Sequence, residues 1–259
     1  NRYTNILPFD DTRVKLLPIE DEEGSDYING NYMMGYNSQR EFLAMQGPLP
    51  STIDDFWRAI WEQNCPIIVM VTKCKERERV KCEQYWPDKA PETRTYGELH
   101  VTLRSESHLG DYIIRILDVK MGSENRTIKQ FHFISWPDFG NPDTTQQLLT
   151  FVKEVRGHIR PNSHRPIMVH CSAGVGRTGT FIVVDRALQI IRSHDTINIF
   201  QIVMDMRSNR CHMVQTEDQY IFIHDCISDA IKQGLHLPPG SGNNDEHIYS
   251  NQDFIPDVP

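Results

Sequence analysis

The sequence predicts a single α/β (α+β) domain, built on a central twisted mixed β-sheet flanked by helices. Three observations carry this. Residues 1–235 alternate short apolar runs with segments of helical periodicity, the pattern of sheet and helix packed in layers. Two of the runs, Ile67–Val71 and Pro166–His170, are short and nearly all apolar, as strands buried on both faces are. A chain of 259 residues fits one large domain or two small ones, and 39% hydrophobic with 24% charged side chains suits an ordinary core that needs no disulfide or metal staple. From Gly234 onward Pro, Gly, Asn and acidic residues dominate, so the expected division is a folded domain at 1–233 and a flexible C-terminal tail at 234–259. No repeat of solenoid period is present.

The elements follow in chain order. Ser51-Thr52 before Asp54 and Asp55 reads as a capped helix start, with Phe56, Trp57 and Ile60 as its apolar face. After the strand at Ile67–Val71, segments 98–103, 112–119 and 128–135 are rich in β-branched and aromatic residues and are expected as strands. A helix from about Thr145 aligns Leu148, Val152, Val155 and Ile159. Pro166–His170 is the next strand, and Arg177 to about Ser193 a long apolar helix. Thr216 with Gln219 three residues on forms a capping box for a last helix reaching about Lys232.

Charge and cysteine usage narrow the function classes. A net charge of −8 argues against nucleic acid or an anionic membrane face as the main partner, and no direct membrane contact by this chain is expected. The six cysteines form no Cys-x-x-Cys pair and no zinc-type cluster, so buried free thiols in a reducing compartment are expected, with no metal and no cofactor. No apolar stretch is long enough to span a membrane. The chain opens on Asn1 without a charged-then-apolar leader, and the missing initiator Met points to a piece of something longer.

The chemistry is concentrated in "PIMVHCSAGVGRTGTFIVVDRAL", residues 166–188. A strand runs into Cys171, then a loop of Ser172, Ala173, Gly174, Val175 and Gly176, then Arg177 at a helix start. The two glycines permit a loop whose amides converge on one centre, and the helix aims its positive end there. Such a cradle suits a dianion, and Arg177 adds a planar fork for two phosphoryl oxygens. A helix N-terminus and a cation favour the thiolate of a cysteine, so Cys171 is expected to act as a nucleophile toward phosphorus. A buried inert cysteine beside a Gly-rich turn is the bland alternative, and the Cys-x5-Arg spacing between strand and helix weighs against it.

"HCSAGVGRTG" resembles the signature loop of the phosphotyrosine-specific protein tyrosine phosphatases. The likeness extends over nearly all of residues 1–232 through "NRYTNILPFD", "SDYING", "QGPLP", "VKCEQYWP", "SWPDFG" and "MVQTEDQY", in the family's order. It implies a catalytic domain that hydrolyses phosphotyrosine in proteins through a cysteinyl phosphate. Asp138 is then the acid for the leaving tyrosyl oxygen and afterwards the base for water, on a closing loop held by Trp136. By the same resemblance Gln215 positions the water, with Gln219 beside it. Thr178 stabilises the departing sulfur, and His170 orients the loop with Tyr85. Glu76 holds Arg177, and Lys81 contacts the closed acid loop. Tyr3 stacks on the phosphotyrosine ring and sets a depth that phosphoserine cannot span.

Several positions depart from the family pattern. Asn5 stands where some members carry an Asp that holds the substrate backbone, Asn141 where Val or Ile is usual, and Glu78 where Gly is usual. His212 replaces a Gly that opens a second phosphotyrosine site in one branch, so that site is not expected. In the tail, Tyr249 with Asn251 two residues on resembles a ligand of adaptor SH2 domains once phosphorylated. Together these features resemble a receptor-type member with one catalytic domain, which implies the cytoplasmic domain of a single-pass plasma-membrane receptor. The alternatives are a catalytically weak phosphotyrosine-binding domain and a phosphoinositide phosphatase on the same fold. The first needs a broken acid loop or Arg, whereas Asp138 and Arg177 are present. The second favours basic loop residues where Ala173 and Val175 stand.

Overall fold

The computed structural model describes residues 1–160, 163–193 and 196–235. Among them are strands β1 (Arg13–Lys15), β2 (Tyr27–Met33), β3 (Phe42–Met45), β4 (Ile67–Met70), β5 (Lys75–Glu76), β6 (Arg79–Val80), β7 (Glu92–Tyr96), β8 (Leu99–His108), β9 (Tyr112–Met121), β10 (Glu124–Phe133) and β11 (Ile167–His170). The helices are α1 (Ile53–Glu62), α2 (Thr145–Gly157), α3 (Gly176–Ser193), α4 (Ile199–Asn209) and α5 (Glu217–Lys232). Nine strands form one mixed sheet in the order β1-β2-β3-β11-β4-β10-β9-β8-β7, and β5 pairs with β6 alone. The α/β expectation is met.

The centre of the sheet is parallel: β11 lies between β3 and β4, and β10 follows β4. Residues of β11 alternate between two cores. Ile167 and Val169 join Ala44, Val69, Phe131 and Phe181 beneath the helices α2, α3, α4 and α5. Met168 joins Leu43, Ile68, Phe56, Trp57 and Tyr85 on the face that α1 covers. Burial on both sides explains why β4 and β11 read as continuous apolar runs. His170 is in register with Met45 and Met70, so three parallel strands end together at one edge, the place where α/β sheets bind ligands.

Some boundaries differ from those expected. The first helix is entered through a 3-10 turn at Pro50–Thr52, and Thr52 does not cap it. Its hydroxyl accepts instead from Leu49 N at 2.9 Å. The strand expected at 128–135 is β10, which starts four residues earlier because the turn at Gly122 (φ +56°) pairs it in full with β9. Ile159 falls beyond α2, which stops at Gly157. The Thr216–Gln219 capping box is present, with Gln219 N donating to Thr216 Oγ1 at 3.2 Å. Segment 236–259, with Tyr249, lies outside the described residues.

Candidate active site

The loop between β11 and α3 is shaped from behind. Gly174 has φ +73°, and a Cβ there would lie 2.2 Å from Met45 O, so only glycine fits. Each carbonyl from Cys171 to Gly176 accepts a hydrogen bond. Cys171 O is 3.2 Å from His170 Nδ1, and Ser172 O takes Gly47 N at 3.0 Å. Ala173 O and Gly174 O both take the guanidinium of Arg210 at 2.9 Å. Val175 O takes Val214 N at 3.1 Å, and Gly176 O takes Thr180 Oγ1 at 3.0 Å. The Gly174 amide points the other way, donating to Cys171 Sγ at 3.2 Å.

Arg210 was not singled out from sequence. It is fully buried and completes its bonds with the side-chain oxygens of Asn31 at 2.8 Å and Asn29 at 2.7 Å. Burial without a carboxylate partner pushes its pKa down to about 10. The Asn-x-Asn of "YINGNY" was the readable signal: two polar side chains on one face of a buried strand need a buried partner.

Arg177 lines the cleft and is gripped by its guanidinium. Its Nη1 and Nη2 donate to Glu76 at 2.5 and 3.0 Å, and Nη2 also donates to Pro137 O at 3.1 Å. Three of the five guanidinium N–H bonds are thus committed, and two are left for an anion. Thr72 Oγ1 donates to the same Glu76 carboxylate at 3.2 Å. His170 is buried against Tyr85, with 2.7 Å between Nε2 and the phenol oxygen, and burial pushes the imidazole down to about 4. Thr178 Oγ1 is buried with no hydrogen-bond partner among the described residues.

Asp138 sits on a loop pinned by the buried Trp136, whose Nε1 donates to Gly140 O at 3.1 Å. The cation beside Asp138 is Arg77, at 3.4 Å, and its guanidinium also lies 4.4 Å from the exposed Phe139 ring. Lys81, expected to contact this loop when it closes, lines the same cleft as Asp138. Arg77 occupies the β5–β6 turn at φ +52°, a backbone feature its sequence does not announce. Asn141 Nδ2 donates to Asp218 O at 2.9 Å, tying this loop to the start of α5. Glu78 pairs with Lys75 at the surface, and His212 adopts φ +57°, the left-handed conformation for which glycine is the usual residue.

A cleft of about 490 Å³ brings together Cys171, Ser172, Ala173, Gly176 and Arg177 with Asp138, Glu76, Lys81, Tyr3, Asn5, Gln215 and Gln219. Tyr3 stands at its mouth, its hydroxyl 2.8 Å from Ser172 Oγ. Gln219 Oε1 is occupied by the amides of Gln215 and Thr216, at 2.9 and 3.3 Å. Gly174, Val175, Thr178, His170, Tyr85 and Trp136 lie behind the lining. All six cysteines are free, and burial raises the thiols of Cys65, Cys82 and Cys226.

Comparison with known proteins agrees with this arrangement. The family model for protein-tyrosine phosphatase matches residues 1–229. The chain is 50% identical over 237 residues to receptor-type tyrosine-protein phosphatase eta of Mus musculus, covering 90% of this chain and 19% of that protein. It is 49% identical over 235 residues to the Homo sapiens eta protein, covering 90% and 17%. It is 47% identical over 243 residues to tyrosine-protein phosphatase Lar-like of Caenorhabditis elegans, covering 93% and 11%. The chain therefore spans about a fifth or less of the length of these relatives. Family match, relatives and cleft agree on the phosphatase class that the Cys-x5-Arg segment led one to expect: the chain belongs to the protein-tyrosine phosphatase family.

Proposed function

We propose that this chain hydrolyses phosphotyrosine in proteins through a cysteinyl-phosphate intermediate on Cys171. The observation that carries the reading is one cleft lined by both Cys171, whose Sγ receives the Gly174 amide at 3.2 Å, and Arg177, whose guanidinium keeps two uncommitted N–H groups. A phosphoryl group seated there meets loop amides, the α3 N-terminus and Arg177 together. The sulfur attacks phosphorus, the phosphorus–oxygen bond to tyrosine breaks, and Asp138 gives its proton to the tyrosyl oxygen. Asp138 then takes a proton from water placed by Gln215. The water oxygen bonds to phosphorus and the sulfur leaves as thiolate, with the unpartnered Thr178 hydroxyl free to receive it. Tyr3 at the mouth supports selection of phosphotyrosine over the shorter phosphoserine.

Residues 1–233 make up the catalytic domain in this reading, with the remainder a tail. The kinship with receptor-type phosphatases supports a place on the cytoplasmic side of a plasma-membrane receptor. Among the described residues no helix is long and apolar enough to cross a membrane. Phosphotyrosine proteins are the substrates, and phosphorylated Tyr249 is a docking site for an SH2 adaptor.

Cys171→Ser tests the mechanism. Turnover of a phosphotyrosine peptide is expected to vanish while peptide binding persists, since an alcohol is a poor nucleophile in an intact cradle. Activity above a hundredth of wild type would remove the covalent intermediate. Parallel assays on phosphoserine peptide and inositol lipid define the substrate class.

A further inference from the structure

Arg115, on β9, is a buried cation that takes no part in lining the cleft. Its guanidinium lies 4.4 Å from the Trp86 ring centre, and its Nε pairs with Glu106. Its Nη1 faces two side chains of β10, Gln130 Oε1 at 2.9 Å and His132 Nδ1 at 3.1 Å.

A guanidinium can only donate, and this has consequences down the line. Gln130 must show Arg115 its oxygen, so its NH2 group goes to the Tyr85 hydroxyl, 2.8 Å away. Having accepted there, Tyr85 turns its single proton to His170 Nε2 at 2.7 Å, a far better acceptor than Met70 Sδ at 3.7 Å. His170 is then left with its proton on Nδ1, which donates to the Cys171 carbonyl at 3.2 Å. His132 obeys the same rule: it accepts from Arg115 at Nδ1 and donates from Nε2 to the Thr72 backbone carbonyl at 2.8 Å. Both imidazoles are neutral because they are buried, with His132 pushed down to about 3 and His170 to about 4.

We infer that Arg115 is a positioning residue for the cysteine loop: its one-way donation sets the direction of each hydrogen bond from β10 to the Cys171 carbonyl and thereby fixes the tautomer of His170. Without it the Gln130 amide is free to turn over. Tyr85 then donates to Gln130, His170 donates from Nε2, and the lone pair of Nδ1 confronts the Cys171 carbonyl oxygen. The effect on rate rests on the proposed role of Cys171, whereas the direction of the hydrogen bonds does not.

Two variants test this. Arg115→Met removes the cation and leaves an apolar stem over Trp86. Gln130→Glu keeps Arg115 and the side-chain outline but can only accept at neutral pH, which reverses the Tyr85 link. Nitrogen-15 NMR of the imidazoles is expected to find His170 protonated on Nδ1 in the wild type and on Nε2 in both variants. The two variants are expected to lose roughly tenfold in kcat/KM on a phosphotyrosine peptide, the scale of one misdirected buried hydrogen bond. An unchanged Nδ1–H tautomer in Gln130→Glu would overturn the inference, even if Arg115→Met failed to fold. A changed tautomer with kcat/KM within twofold of wild type would overturn the link to the cysteine loop. Turnover that survives in Cys171→Ser would strike the proposed mechanism instead and leave the tautomer result standing.

Discussion

Glu76→Gln isolates what the grip on Arg177 is worth. The carboxylate is buried, takes two N–H groups of Arg177 at 2.5 and 3.0 Å, and takes the Thr72 hydroxyl at 3.2 Å. Glutamine keeps the outline but replaces one acceptor with an NH2 group, so a donor faces a donor. One charge-assisted hydrogen bond is lost, worth about 1.5–3 kcal/mol. The total stays below the ~3–5 kcal/mol of a fully buried charge stripped of its partner, because Arg177 retains some solvent and the Pro137 carbonyl. At about 1.4 kcal/mol per factor of ten, kcat/KM should fall roughly 10- to 150-fold. Steady-state kinetics on a phosphotyrosine peptide measure the loss, and the inhibition constant of inorganic phosphate measures how well the fork is still presented. A variant within twofold of wild type on both would show that Glu76 does not organise Arg177.

Asp138→Ala should lower kcat by ~10²–10⁴-fold, and by less on aryl phosphates whose leaving group is already a stable anion; equal losses on both would assign Asp138 to loop structure. Gly174→Ala places a methyl 2.2 Å from Met45 O at φ +73°, so both melting temperature and turnover should drop, and a wild-type melting curve would contradict the loop geometry. Stability should also depend on pH through His170, whose pKa falls from 6.5 to about 4 on folding. The unfolded chain then takes up the proton first, so this stability is complete above pH 6.5; His170 contributes roughly 3 kcal/mol of the fall as pH drops to 4, and His132, pushed down to about 3, adds to it in the same window. Denaturant titrations at pH 7, 5 and 4 measure this, and a flat profile would exclude a neutral buried imidazole.

The cysteine loop was legible because its parts are contiguous: one stretch, residues 166–188, contains strand, cradle, arginine and helix. Other local signals were legible for the same reason: the continuous apolar run of β4, the helical period of α2 and the capping box that opens α5. β2 escaped because Asn29 and Asn31 point inward and break the apolar alternation that marks a strand. Thr52 misled because its hydroxyl serves the turn before the helix. The ion pair of Arg77 with Asp138 depends on a turn conformation and on two segments 61 residues apart, and local pattern cannot register either.

The brace behind the cysteine loop has a consequence for the order in which the protein is made. Arg210 connects the loop carbonyls to Asn29, 181 residues earlier in the chain. Closing so long a span costs chain entropy that only the finished sheet and α4 repay. A ribosome must therefore deliver almost the entire domain before the cradle takes its shape. Until then Cys171 belongs to an unorganised segment, and chemical competence is among the last properties the growing polypeptide acquires.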